Sequence, residues 1–160
     1  SILHLSFTGS LNYQLRGFYR SQYTDSKGGL QYLATTQFEA TDARRALPCW
    51  DEPSIKAEFD VTLIIPKDLT AISNMPISNE EPKSDGNKAV HFETTPRMST
   101  YLLAFIVGDL ECIEDTAPGG TQIRVWATRG KAHLGRFALK NSVRALAYMN
   151  NYFGISRSLK

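Results

Sequence analysis

Ala34-Thr35-Thr36-Gln37-Phe38-Glu39-Ala40-Thr41-Asp42-Ala43-Arg44-Arg45-Ala46-Leu47-Pro48-Cys49-Trp50-Asp51-Glu52-Pro53 is the stretch on which the reading of this chain turns. An apolar strand runs into it, two carboxylate clusters and an Arg pair follow, and two prolines punctuate its end. Gln37 and Glu39 stand two apart on the extended portion, so they face the same side. Just beyond, Thr41 or Asp42 can cap a short helical turn. A strand that exits into a turn is a good place to present a carboxylate into a cleft. From spacing alone the plainer reading is a structural ion pair between Glu39 or Asp42 and Arg44 or Arg45. Pro48 and Pro53 fix the loop backbone. Trp50 is expected to pack, and Asp51 and Glu52 to accept backbone or Arg hydrogen bonds rather than to do chemistry.

Outward from this run the chain reads as mainly β. Ile2 to Phe7 alternates loosely up to Gly9. Gly17 to Tyr23 and Leu30 to Phe38 flank the turn cluster Asp25-Ser26-Lys27-Gly28-Gly29, which is a hairpin signal. Glu58 to Ile65 alternates until Pro66, and Lys88 to Glu93 and Tyr101 to Val107 read as further strands. Pro76, Pro82 and Asp85-Gly86-Asn87 supply breaks. Short strands at this spacing predict a β-sandwich or a similarly twisted sheet. After Asp115-Thr116-Ala117-Pro118-Gly119-Gly120 the pattern changes: one strand, Gln122 to Ala127, and then a helix. Leu139, Val143, Leu146, Met149 and Phe153 fall on one face of it, with Gly154 as its C-terminal cap. We therefore expect a β-domain over 1–120 and the start of a second unit over 121–160. The apolar face of that helix needs partners from outside this sequence.

Composition narrows the function classes. With 42% hydrophobic and 21% charged residues the 160-residue chain is ordinary globular material, long enough to bury roughly 70% of its unfolded surface. A net charge of +2, with Lys and Arg scattered, offers no nucleic-acid footprint. No apolar run approaches the roughly 18 residues of a membrane span. Cys49 and Cys112 are expected to be free, partly buried thiols, which leans toward a reducing compartment and hence a cytoplasmic location. The sequence begins at Ser1 without Met or a leader pattern, and reads as a piece of something longer.

Chemistry-bearing motifs are sparse. Zinc needs three or four converging His, Cys or carboxylate ligands, whereas His4, His91 and His133 are isolated and none begins an H-E-x-x-H. No metal site and no catalytic residue is expected within the chain. There is no G-x-S-x-G elbow, and the acidic pair after Cys49 raises a thiol rather than activating it. Gly28-Gly29 and Gly119-Gly120 lack phosphate-loop spacing and read as turns.

Thr36 to Pro53 resembles the aminopeptidase N family of zinc metallopeptidases almost residue for residue, with Leu47 where members commonly carry Phe and Trp50 where several do. Gly17-Phe18-Tyr19-Arg20-Ser21, Ala57-Glu58-Phe59, Ser73-Asn74-Met75 and Thr95-Pro96-Arg97-Met98-Ser99-Thr100-Tyr101-Leu102 resemble the same family in the same order. Asn151-Tyr152-Phe153-Gly154-Ile155 resembles the helix end before its catalytic core. The resemblance implies most of a saddle-like or sandwich N-terminal β-domain, its first strands missing, followed by the first strand and helix of a thermolysin-like domain. It implies that Glu39 binds the free α-amine of a peptide substrate and that Gln37 lines the pocket for its first side chain. The family's zinc, its H-E-x-x-H and its Gly-x-Met-x-Asn would lie beyond Lys160. The terminal Ser156-Arg157-Ser158-Leu159-Lys160 departs from the Tyr-Pro-Leu-Pro-Lys common there. The chain alone is then expected to be inactive, its partners being peptides with a free N-terminus and the rest of the catalytic domain. A non-catalytic relative acting as an interaction scaffold, or a free-standing β-sandwich binding module, are the other readings.

Overall fold

The computed structural model describes residues 2–154; the terminal run 155–160, including the departure noted above, lies outside them. Among the described residues eleven strands and one α-helix follow in order: β1 Gly17–Thr24, β2 Leu30–Gln37, β3 Lys56–Ala57, β4 Thr62–Pro66, β5 Thr70–Ser73, β6 Ile77–Pro82, β7 Asn87–Phe92, β8 Met98–Ser99, β9 Phe105–Gly108, β10 Leu110–Thr116, β11 Gln122–Thr128 and α1 Arg136–Phe153. The architecture is mainly β with a C-terminal helix, as the sequence predicts. It forms two compact units. One holds the chain up to Tyr23 together with Tyr32–Val107; the other holds the Thr24–Gln31 loop and the chain from Gly108 on.

In the first unit a four-stranded sheet runs β1-β2-β9-β5 and a three-stranded sheet runs β4-β7-β6. Ile65 of β4, Ala71 of β5 and Val90 and Phe92 of β7 form a buried cluster, with Val107 of β9 packed against it. Residues of both sheets thus share one core, the two-layer solution for sheets with one apolar face each. A second buried cluster, Phe38, Ala43 and Leu103, gathers Leu47, Cys49, Phe59, Tyr101 and Phe105 around it.

Gly17 ties β1 to this second cluster's surroundings. Its φ of +66° lies in the left-handed region, and a Cβ placed on it would come within 2.9 Å of the Arg45 Cβ. Only glycine meets both conditions without cost.

Several expectations change. Ile2 to Phe7 forms no strand: it has no partner strand among the described residues, and Ile2, Leu3, Leu5 and Phe7 stand exposed. Tyr101 to Val107 is not one strand; Thr100–Leu102 is a 3-10 turn, and the paired strand starts only at Phe105. Trp50 does not pack into the core; it is 71% exposed, on the rim of a shallow recess lined by Leu47, Cys49, Ile55 and Phe59.

In the second unit β10 and β11 pair antiparallel, from Leu110 opposite Thr128 to Thr116 opposite Gln122. Ala117 N–H donates to Thr121 O (2.9 Å) and closes the turn between them. The Pro118-Gly119-Gly120 cluster is therefore the turn of a hairpin. The helix α1 packs on this ribbon. Leu139, Val143 and Leu146 are half-buried, whereas Met149 and Phe153 are exposed; a two-stranded ribbon covers only part of an 18-residue helix. Tyr148 and Tyr152 stack at 6.0 Å on its uncovered side. Gly154 ends it at φ +64°, the left-handed cap. Cys112 on β10 is exposed and Cys49 is half-buried; both are free. The expectation of two partly buried thiols thus holds for Cys49 alone, because the pleat turns Cys112 outward.

Candidate functional site

The site is built where β2 ends. Alternation along the pleat leaves Gln37 and Glu39 exposed and drives Phe38 inward to 2% exposure. Phe38 meets the Phe105 ring edge-on at 6.0 Å, and Leu103 completes the apolar floor. Burying an aromatic ring of this size anchors the strand by about 3–5 kcal/mol, the range for Phe→Ala in cores. Two neighbours of opposite character are thereby fixed: the apolar anchor below and the carboxylate above.

The chain then turns sharply. The Glu39–Ala40 peptide bond is cis. Asp42 N–H donates to Phe38 O (2.9 Å), and Ala43–Arg45 forms a 3-10 turn. The expected side-chain cap by Thr41 or Asp42 does not form: Asp42 makes no capping bond and instead pairs with Arg45 at 2.6 Å. Arg44 is committed elsewhere. Its backbone N–H (3.1 Å) and Nε (3.0 Å) both donate to Oδ2 of buried Asp51, and its Nη2 donates to the Asp51 carbonyl (3.1 Å). Asp51 is thus structural, as expected; Glu52 only approaches Arg44, at 3.9 Å. Both arginines of the run are occupied by other carboxylates. Among the described residues Glu39 has no ion-pair partner.

Facing this strand exit is the segment Tyr101–Ala104. With Thr36, Gln37, Phe38 and Glu39 it encloses an open recess of about 190 Å³. Gln37 and Glu39 therefore share one concavity, as their spacing requires. Spacing does not reveal the opposite wall; its one sequence signal is the family resemblance of Thr95 to Leu102. That wall is held largely by side chains. Thr36 Oγ1 accepts Phe105 N–H (3.1 Å), Ser73 Oγ donates to Ala104 O (2.9 Å), and Asn74 bonds both Leu102 O and Ala104 N–H. Ser99 and Thr100 hydroxyls donate to the carbonyls of Pro53 and Trp50 (2.6 and 3.1 Å), tying the same wall to the proline-bounded loop.

Cys49 belongs to that loop and packs against the Phe38, Ala43 and Leu103 cluster. Burial, and next the Asp51 carboxylate, push its thiol above the ordinary value, with Arg44 opposing. This is an inert thiol, not a nucleophile. The histidines are scattered: His91 shares a 2.9 Å hydrogen bond with Thr62, and His4 and His133 are exposed. Among the described residues no three His, Cys, Asp or Glu side chains come together to hold a metal ion. The described residues do not fit a zinc site. Among the described residues no helix is long and apolar enough to cross a membrane.

Comparison with known proteins finds relatives over nearly the whole chain. The family described as Peptidase M1 N-terminal domain matches residues 1–102. The chain is 49% identical to a puromycin-sensitive aminopeptidase of Caenorhabditis elegans, over 98% of this chain and 17% of that protein. It is 48% identical to aminopeptidase M1-B of Oryza sativa subsp. japonica, over 95% of this chain and 17% of the relative. It is 47% identical to the mitochondrial aminopeptidase 2 of Saccharomyces cerevisiae, over 99% of this chain and 17% of the relative. The chain thus spans about a sixth of the length of the curated relatives it matches.

Proposed function

Because the chain belongs to the M1 peptidase family and carries its N-terminal domain, we propose that it works as the substrate-amine-recognising part of a zinc-dependent aminopeptidase, which removes residues from the free N-terminus of peptides. The chain up to Val107 forms the bulk of its N-terminal β-domain, and the β10–β11 hairpin with α1, expected from residue 121 on, begins its catalytic domain at Gly108. The zinc and the groups that activate water belong to the rest of that catalytic domain. The exposed aromatic side of α1, around Tyr148 and Tyr152, is a face for that remainder. The chain alone is inactive, and the working location is the cytoplasm.

One observation carries the reading: Glu39 presents an unpaired carboxylate beside Gln37 in an open recess, while Asp42 and Asp51 occupy both nearby arginines. An exopeptidase must tell a terminal ammonium from an internal amide. A fixed carboxylate does so through charge-assisted hydrogen bonds of about 1.5–3 kcal/mol. Gln37, on the same side of the strand, then meets the first side chain.

The test uses leucinamide, which has a free amine, and N-acetyl-leucinamide, which does not. In the complete protein Glu39→Gln is expected to weaken leucinamide by about ten- to a hundred-fold, which is 1.5–3 kcal/mol, and to leave the acetylated control unchanged. Equal affinity of wild type and variant for leucinamide would remove the amine-anchor role. For the chain alone, zinc-dependent turnover of an aminoacyl fluorogenic substrate would overturn the claim of inactivity.

A further inference from the structure

We infer that Asn74 is a positioning residue for this recess, holding the Tyr101–Ala104 wall at the distance from which Gln37 and Glu39 grip an amine-bearing ligand. The inference rests on the reading of Gln37 and Glu39 as ligand-binding groups.

The argument begins with a conflict between local propensity and observed backbone. Tyr101 to Val107 is apolar and reads as one continuous strand. Instead, Thr100–Leu102 curls into a 3-10 turn closed by Leu103 N–H on Thr100 O at 3.0 Å. The strand begins only at Phe105. Something outside the segment imposes the turn, and the bonds identify it. Asn74 Nδ2 donates to Leu102 O at 2.7 Å, and Asn74 Oδ1 accepts Ala104 N–H at 2.8 Å. Its neighbour Ser73, the last residue of β5, donates to Ala104 O.

A primary amide is suited to this task. It carries a donor and an acceptor side by side on a short stem, and here each meets a main-chain group of opposite kind. Leu102 O and Ala104 N–H are left over where the turn gives way to the strand, and neither has a ladder partner there. Asn74 satisfies both at once and thereby fixes two successive peptide planes. From the far side Thr36 acts on Phe105, and the Ser99 and Thr100 hydroxyls tie the start of the segment to the proline-bounded loop. The wall is a short segment clamped by side chains rather than by a sheet ladder. One substitution can therefore move it while leaving both sheets intact.

Asn74 does not line the recess, so it touches no ligand; its effect passes through the wall. A misplacement of about 1 Å in a binding site can cost as much as a hundred-fold.

In the complete protein, leucinamide affinity is measured for wild type, Asn74→Ala, Glu39→Gln and the double variant. Asn74→Ala is expected to weaken leucinamide about tenfold, as for one misplaced hydrogen bond. The double variant is expected to be weaker than wild type by clearly less than the product of the single effects, because a displaced wall already loosens the grip of Glu39. Asn74→Gln, which keeps both polar groups on a longer stem, runs in parallel and carries the same comparison if Asn74→Ala does not fold. If Glu39→Gln weakens binding while the Asn74 variants bind as wild type, or if the effects simply multiply, Asn74 is structural only and this inference fails while the amine reading stands. If Glu39→Gln has no effect, both fall.

Discussion

Asp51 offers the sharpest test of how the recess is supported. Its side chain is only 2% exposed, and one oxygen, Oδ2, takes two hydrogen bonds from Arg44. Replacing it with Ala strands the Arg44 backbone N–H and breaks the contact with the guanidinium. A bond to a charged group is worth about 1.5–3 kcal/mol, but the Arg44 side chain is 54% exposed, so water recovers part of its share. We expect Asp51→Ala to destabilise the chain by about 2 kcal/mol. Asp51→Asn keeps an acceptor oxygen and loses only the charge, so about half of that is expected. Arg44→Met should exceed Asp51→Asn, because it leaves a buried carboxylate without its cation. With a urea m-value of about 1–3 kcal/mol/M, Asp51→Ala lowers the unfolding midpoint by about 1 M. Circular dichroism against urea measures all three. Midpoints that agree within about 0.2 M across the series, a few tenths of a kcal/mol, would show that the pair contributes no more than a surface contact.

Gly17→Ala should destabilise by more than 1 kcal/mol, roughly the left-handed cost alone, since its Cβ also meets the Arg45 Cβ; urea unfolding within 0.5 kcal/mol of wild type would contradict the close approach. Cys112 should be alkylated by iodoacetamide well before Cys49, because Cys112 is exposed whereas burial and Asp51 hold the Cys49 thiol protonated; peptide mass mapping over time decides the order. The raised Cys49 value means the folded state binds that proton more tightly than the unfolded state. Stability should therefore be full below the unfolded thiol value, near pH 8.5, and fall as pH rises through the folded one, a fall that Cys49→Ala abolishes. Asp25 accepts backbone N–H bonds from Gly29 and Lys27 and a side-chain bond from Gln31, with Gly29 the largest cause of its lowered value. NMR titration should place its carboxyl below the ordinary range, and an ordinary value would mean the turn is open in solution.

How far the sequence reached depended on where the stabilising contacts lie. β1, β2, β4, β7, β11 and α1 announce themselves because their own periodicity matches the surface they cover. β6 does not: every residue of Ile77–Pro82 is exposed, so an edge strand of Ser, Asn and Glu carries no apolar pattern, and its bounding prolines read as breaks. β10 is masked for another reason. Its Glu111 sends a carboxylate to the Ala132 N–H at 2.9 Å, a polar group spent on capping the next turn where a strand pattern expects an apolar one. Ile2 to Phe7 errs the other way, alternating with no partner strand among the described residues. In the candidate site, Gln37 and Glu39 could be paired by spacing alone because they are strand neighbours. Tyr101–Ala104 could not, since its backbone is set by Asn74 and Ser73, about thirty residues away in the chain.

The alternation at Gln37, Phe38 and Glu39 also limits how this strand can change over time. Because the pleat repeats every two residues, inserting or deleting one residue in β2 would exchange the two faces. Glu39 would turn toward the pocket that Phe105 and Leu103 close, and Phe38 would turn to water. Recognition and folding thus read the same frame, and a shift that ruins one ruins the other. Side chains at Gln37 can be exchanged freely as far as the core is concerned; the length of the strand cannot. Variation among proteins built this way should appear as substitution at this strand end, while gained or lost residues collect in the Asp25–Gly29 turn, where the frame is not yet set.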